Sequence, residues 1–157
     1  MRPGISQWSN PAKRLAVELQ NYISFVYGGS AHEAVAYRWN TQLNENGKAP
    51  ASSSFVPEAF HNATVASEGR PELMKRICVV FLVDPLEEPR LAAKTRRFEE
   101  ILRPAVGSVL EVEARGEGRL ARMLSALYVG DFTSAYLGVL NGKDPSVVEP
   151  ITRLKWG

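Results

Sequence analysis

The sequence holds one cysteine, Cys78, and two histidines, His32 and His61. A single thiol excludes an intrachain disulfide. Two histidines and one distant cysteine do not make a zinc site of common spacing, so no metal and no cofactor is expected. Cys78 lies in the apolar run Ile77-Cys78-Val79-Val80-Phe81-Leu82-Val83. There a free thiol behaves as a small buried hydrophobe, which suits a reducing cytoplasm. That run is the longest purely apolar one, far short of the ~20 residues of a membrane helix. Met1 to Trp8 carry no apolar h-region, so neither a secretory signal nor a membrane partner is expected. An excess of either charge is missing too: 19 Lys and Arg stand against 17 Asp and Glu, a net +2. This falls short of the basic footprint of a nucleic-acid domain. The local cluster Lys94-Thr95-Arg96-Arg97 runs into Glu99 and Glu100 and reads as a solvated helix face.

What is present is an ordinary globular composition, 45% apolar and 23% charged over 157 residues, which predicts one domain. Asn10-Pro11 has the form of a helix start, Asn as cap and Pro at the first helical position, and the helix runs to about Gln20. Ile23 to Tyr27 reads as a buried strand closed by Gly28-Gly29. Ser30 is then placed to cap a helix running to about Asn46, with Val35, Trp39 and Leu43 on one face. Pro50 to Phe55 reads as a short strand, and Pro57 to Asn62 as a loop. Ile77 to Val83 is the clearest strand, stopped by Asp84-Pro85. A helix from about Pro89 to Leu102, broken by Pro104, and a strand from Val106 to Val112 follow. Glu117 to Leu140 is a long helix, and its stripe Leu120, Met123, Leu124, Leu127, Tyr128 and Phe132 reads as core packing. A last helix starts at Asp144-Pro145 and ends at Trp156. Strands alternating with helices predict an α/β fold: a mostly parallel sheet of four to five strands with helices on both faces. Ligands in such sheets bind outside the carboxyl ends of the strands.

Three places could carry chemistry. Tyr27-Gly28-Gly29-Ser30 is a strand-to-helix turn whose free N–H groups favour an anion, although two glycines also make a plain tight turn. Asn44-Glu45-Asn46 sets a carboxylate between two amides where a helix runs out. The negative end of the dipole is mildly unfavourable there for an anion, a setting that suits a general base. Pro57-Glu58-Ala59-Phe60-His61-Asn62 holds a histidine that could equally be structural.

Together these segments resemble the C-terminal domain of the bifunctional phosphoglucose/phosphomannose isomerases, proteins of the three-layer sugar isomerase (SIS) fold. The resemblance is carried by Arg38-Trp39-Asn40-Thr41-Gln42-Leu43-Asn44-Glu45-Asn46-Gly47-Lys48, Pro57-Glu58 and His61-Asn62. It continues through Glu113-Ala114-Arg115-Gly116-Glu117, Leu120-Ala121-Arg122-Met123-Leu124, Gly130-Asp131-Phe132, Asp144-Pro145 and Leu154-Lys155. It spans about Asn10 to Lys155, leaving residues 1–9 as an N-terminal extension and 10–157 as the domain. The resemblance implies metal-free interconversion of glucose 6-phosphate or mannose 6-phosphate with fructose 6-phosphate through a cis-enediol(ate). On that resemblance Glu45 is the C1/C2 base, and His61 and Lys155 assist ring opening. Histidine suits this because imidazole titrates near neutral pH. Gly28, Gly29, Ser30, Asn44, Asn62 and Ser146 are the substrate-binding candidates.

The departures matter as much. The family's other SIS domain, which supplies a Ser/Thr-rich phosphate loop, has no counterpart here; Ser52-Ser53-Ser54 is the only serine run and does not directly follow a strand. Gly118 stands where the family carries a small hydroxyl residue. The expected partners are sugar phosphates and either a homodimer mate or a second SIS domain. The alternative is a non-catalytic SIS module that binds a sugar phosphate or a partner subunit.

Overall fold

The structure is a computed structural model that describes residues 4–156. Residues 1–3 of the expected extension, and Gly157, lie outside the described residues. A single 3-10 turn at Gln7–Ser9 precedes helix α1, Pro11–Leu19. The Asn10 side chain accepts from the Ala12 and Lys13 amides, which is the expected cap. Strand β1, Ile23–Gly28, leads to helix α2, Glu33–Glu45, and strand β2, Ala51–Phe55. Helices α3, Ala59–Ala66, and α4, Pro71–Met74, precede strand β3, Ile77–Val83. Helix α5, Pro89–Ala105, strand β4, Ser108–Glu113, and helices α6, Arg119–Leu140, and α7, Glu149–Trp156, complete the chain.

The four strands form one parallel sheet in the order β2-β1-β3-β4. Side chains alternate across it. Val26, Cys78, Val80, Leu82 and Val112 face α1, α2 and α6. Tyr27, Val79 and Phe81 face the other way, onto Ala59 of α3 and Phe98 and Leu102 of α5. The expected α/β architecture with helices on both faces is therefore what the chain forms, with four strands. Burial lifts the Cys78 thiol to about 11, so it stays a protonated, inert core atom.

Five local expectations are corrected. The last helix begins at Glu149 rather than at Asp144-Pro145, which lie in the turn before it. Residues 59–66 form a helix rather than a loop, so His61 and Asn62 stand in the first turn of α3. Ser30 does not cap α2: the helix begins at Glu33 with His32 in the cap position, and the Ser30 hydroxyl donates to Glu87 Oε1 at 3.1 Å. Pro104 falls in the last turn of α5, where few helical bonds are left to break, and Val106 closes that helix rather than opening β4.

The fifth correction concerns α6. Its inward residues are mostly small: Ala126, Gly130, Ser134 and Gly138 recur every fourth position, with Thr133 and Leu137 beside them. Of the stripe read as core, Met123 and Leu127 do pack against the core, whereas Leu120 is 67% exposed, Leu124 52% and Tyr128 52%. The cause is Trp39, fully buried, whose indole N–H donates to the Ala126 carbonyl at 3.0 Å. Its ring lies so close to Gly130 that a Cβ there would sit 2.3 Å from Nε1. Only a face of small residues lets α6 approach α1 and α2 this closely.

Gly130→Ala is expected to lower the urea-unfolding free energy by roughly 1–3 kcal/mol through overpacking. An unobstructed helical Gly→Ala change would raise it by up to about 1 kcal/mol. A gain in stability would refute the Trp39 contact.

Candidate functional site

The expected site residues fall into two groups at opposite edges of the sheet. At the carboxyl edge, β1 ends in Gly28-Gly29-Ser30 and β3 in Asp84-Pro85. The strand order reverses between β1 and β3, the crevice where open α/β sheets bind ligands. A cavity of about 400 Å³ opens there, lined by Gly29, Asp84, Glu87, Arg96, Glu99 and Glu111 among others. Burial and the neighbouring Glu111 carboxyl push the Glu99 carboxyl above its ordinary range. The Glu87 carboxylate lies over Gly29, so close that a Cβ on Gly29 would fall 1.8 Å from Oε2. The turn expected to attract an anion thus already holds one from its own chain. Four carboxyl groups and the Arg96 guanidinium line it, a set able to accept from and donate to sugar hydroxyls. His61 and Asn62 are exposed in the first turn of α3, just beyond the end of β2. Asn62 also borders a second cavity of about 340 Å³, shared with Phe25, Tyr27, Ser52 and Ser54.

At the amino edge the end of α2 carries Asn44 and Glu45. The Asn44 amide group bridges Ala51 like a strand partner: Nδ2 donates to the Ala51 carbonyl at 3.0 Å and Oδ1 accepts from its N–H at 3.3 Å. This pins the helix end to the start of β2. Lys48, with φ at 51°, turns its ammonium back over the same corner. Nζ donates to the carbonyls of Glu45 at 2.6 Å, Val147 at 2.6 Å and Pro145 at 3.4 Å. One cation therefore ties the Glu45 turn to the loop that carries Ser146 and leads into α7 with Lys155. Ser146 donates to Asp144 Oδ1 at 2.7 Å, and its hydrogen bonds hold the Asp144 carboxyl below its ordinary range. Glu45, Ser146 and Lys155 are all exposed.

The structure thus gathers Glu45 with the Ser146 loop and keeps both apart from His61. No contact joins Glu45 to His61 among the described residues. The length of β2, five residues at about 3.3 Å each, lies between the elements that carry them. No group of three or more His, Cys, Asp or Glu able to hold a metal occurs among the described residues.

Two arrangements were missed by sequence reasoning. Lys48 is one; its place in Asn-Gly-Lys after the helix was visible, but its reach to residues 145–147 is a long-range contact. The other is the buried trio His32, Asp84 and Arg122. Arg122 Nε donates to Asp84 Oδ1 at 2.7 Å, and His32 Nδ1 stands 3.8 Å from Oδ2. Both imidazole nitrogens lack a hydrogen-bond partner among the described residues. Gly118, where a small hydroxyl was expected, caps α6 without a side-chain bond.

A family model described as the bacterial phosphoglucose isomerase C-terminal SIS domain matches residues 8–156. A bifunctional phosphoglucose/phosphomannose isomerase of Caldicellulosiruptor bescii is 34% identical over 155 residues, 98% of this chain and 46% of that protein. The enzyme of the same name from Aquifex aeolicus is 30% identical over 157 residues, 99% of this chain and 48% of that protein. The crystal structure of a glucose-6-phosphate isomerase like protein from Thermus thermophilus superposes with a TM-score of 0.78 at 29% identity. That match covers 91% of this chain and 48% of the other. The chain spans about half the length of the curated relatives it matches.

Burial favours the neutral form of His32 and lowers its pKa from 6.5, with Asp84 opposing. The unfolded chain therefore binds a proton that the folded chain refuses. Stability should fall as pH drops below about 6.5 and flatten once the lowered folded value is passed. His32→Asn should flatten that slope in urea melts between pH 7.5 and 5; an unchanged slope would refute the burial effect. Separately, Lys48→Met should speed amide exchange at Val147 and Ile151 at least tenfold. Global stability should change by no more than about 2 kcal/mol, since the lysine is partly solvated.

Proposed function

This chain belongs to the bacterial phosphoglucose isomerase C-terminal SIS domain family, and we propose on that premise that it supplies the acid–base half of an aldose–ketose isomerase. The substrates are glucose 6-phosphate or mannose 6-phosphate on one side and fructose 6-phosphate on the other. The reading is supported most by the Lys48 clamp, which holds the Glu45 turn and the Ser146 loop as one corner.

In this reading the Glu45 carboxylate takes the proton from C2 of the open-chain aldose and returns it to C1 of the cis-enediol(ate), with no metal in the step. Ring opening comes first and needs a proton moved from the anomeric hydroxyl to the ring oxygen. His61 and Lys155 serve that step. Since β2 separates His61 from Glu45, the histidine that meets a given Glu45 comes from another copy of the chain. Asn44 and Ser146 border the base, and Asn62 borders the histidine. Gly28, Gly29 and Ser30, beneath the Glu87 carboxylate, offer acceptors to sugar hydroxyls. The phosphate is gripped by a preceding SIS domain. The enzyme works in the cytoplasm as a homodimer of two-domain chains.

The test is a two-domain protein in which this chain follows the preceding half of the C. bescii relative. Glu45→Gln should cut kcat for fructose 6-phosphate isomerisation by about 10²–10⁴ with KM little changed, the usual weight of a general base. Turnover at the unsubstituted rate would remove Glu45 from the chemistry. The chain by itself should show no turnover. Tight fructose 6-phosphate binding by the lone chain in calorimetry would favour the module reading instead.

A further inference from the structure

Among the described residues Lys48 is the one residue other than glycine with a positive φ, 51°. A residue with a side chain enters the left-handed region only where its surroundings hold it there, and such positions gather at functional sites. What holds Lys48 is its ammonium, whose donors meet the carbonyls of Glu45, Val147 and Pro145. The two sides of this clamp differ in what else fixes them. Residues 44–47 have other anchors: Asn44 bridges Ala51 through both amide atoms, Asn141 Nδ2 donates to the Gly47 carbonyl at 2.9 Å, and Gly138 packs against the Asn46 carbonyl. Residues 146–156 have none of this kind. The Ser146 and Val147 amides donate back to Asp144 within the same loop. Helix α7 buries none of its residues, and its ion pair of Arg153 with Glu149 is internal. Among the described residues the Lys48 bond to Val147 is the one hydrogen bond that joins this segment to the rest of the chain.

We infer that Lys48 is a positioning residue for ring opening: it holds the start of α7, and through it Lys155, whereas Glu45 keeps its place without it. The inference rests on the isomerase reading. When the furanose form of fructose 6-phosphate opens, the C2–O5 bond breaks as the proton of the anomeric hydroxyl passes to O5. A carbonyl is left at C2 and a hydroxyl at C5. Lys155 serves that transfer, and a group displaced from its working position loses most of its effect. The later transfer between C1 and C2 is the work of Glu45. Loss of the clamp therefore strikes the first step and spares the second.

The test compares two substrates in the fusion of this chain to the preceding half of the C. bescii relative. Fructose 6-phosphate must open before it reacts. The analogue 5-deoxyfructose 6-phosphate lacks the hydroxyl that closes the furanose ring and enters already open. Lys48→Met should cut kcat on fructose 6-phosphate by roughly 10–100-fold and change kcat on the open analogue by less than about twofold, with KM held for both. Equal loss on both substrates, which a merely structural lysine would give, overturns the inference, and so does no loss on either. Glu45→Gln should lose both substrates. Activity of that variant on the open analogue would remove Glu45 from the chemistry and leave the Lys48→Met comparison to decide the clamp. Amide exchange in the chain alone reads the placement without any turnover. Lys48→Met should speed exchange at Val147 and Ile151 by about tenfold or more and leave Asn46 and Gly47 within about twofold. Equal acceleration at all four amides would show that the clamp holds Glu45 as much as α7, against the inference.

Discussion

The approach of Trp39 to Gly130 constrains more of this molecule than any other contact. The indole fills space that a single methyl on α6 would occupy, and its N–H satisfies a main-chain carbonyl one turn away. Two helices held this closely behave as one body. The far end of α2, where Glu45 sits, is then fixed by the position of α6. Gly138 repeats the device lower down, against the carbonyl of Asn46. The same closeness decides which residues α6 turns outward. With Ala126, Gly130, Ser134 and Gly138 inside beside Leu137, the helix turns Leu120, Leu124 and Tyr128 outward.

This explains which parts of the fold were legible in the sequence. Strand β3 was plain, because it is buried on both faces and reads as an unbroken apolar run. The Asn10 cap and the buried face Val35, Trp39 and Leu43 were plain as well, since each depends on local spacing. The orientation of α6 was not. Hydrophobicity ranks leucine and tyrosine above glycine and serine, so it put Leu120, Leu124 and Tyr128 in the core with Met123 and Leu127, of which only the last two pack there. The repeat of small residues was the available signal. It acquires meaning only beside a tryptophan 91 positions away in sequence, Trp39 against Gly130. Helix α3 was missed for a related reason: Ala59 and Phe60 offer too short an apolar pattern to show a helix without the α5 surface they pack on.

The candidate site was legible as a set of residues and not as a place. Spacing put Glu45 at a helix end, and the structure agrees. Nothing local revealed that Lys48 would gather the carbonyls of residues 145 and 147, or that Glu87 would lie over Gly29. Both depend on segments remote in sequence. The sheet itself then divides the candidate residues between its two edges. The chain spans about half the length of the curated relatives it matches.

The most direct measurement is deuterium incorporation from D2O into fructose 6-phosphate at C1, followed by proton NMR. It registers the proton transfer itself, whether or not product is released. The account predicts background incorporation with this chain alone and rapid incorporation once a preceding SIS domain is joined to it. Rapid incorporation by the lone chain would contradict the split site, and none by the joined chain would contradict its assignment as the acid–base half.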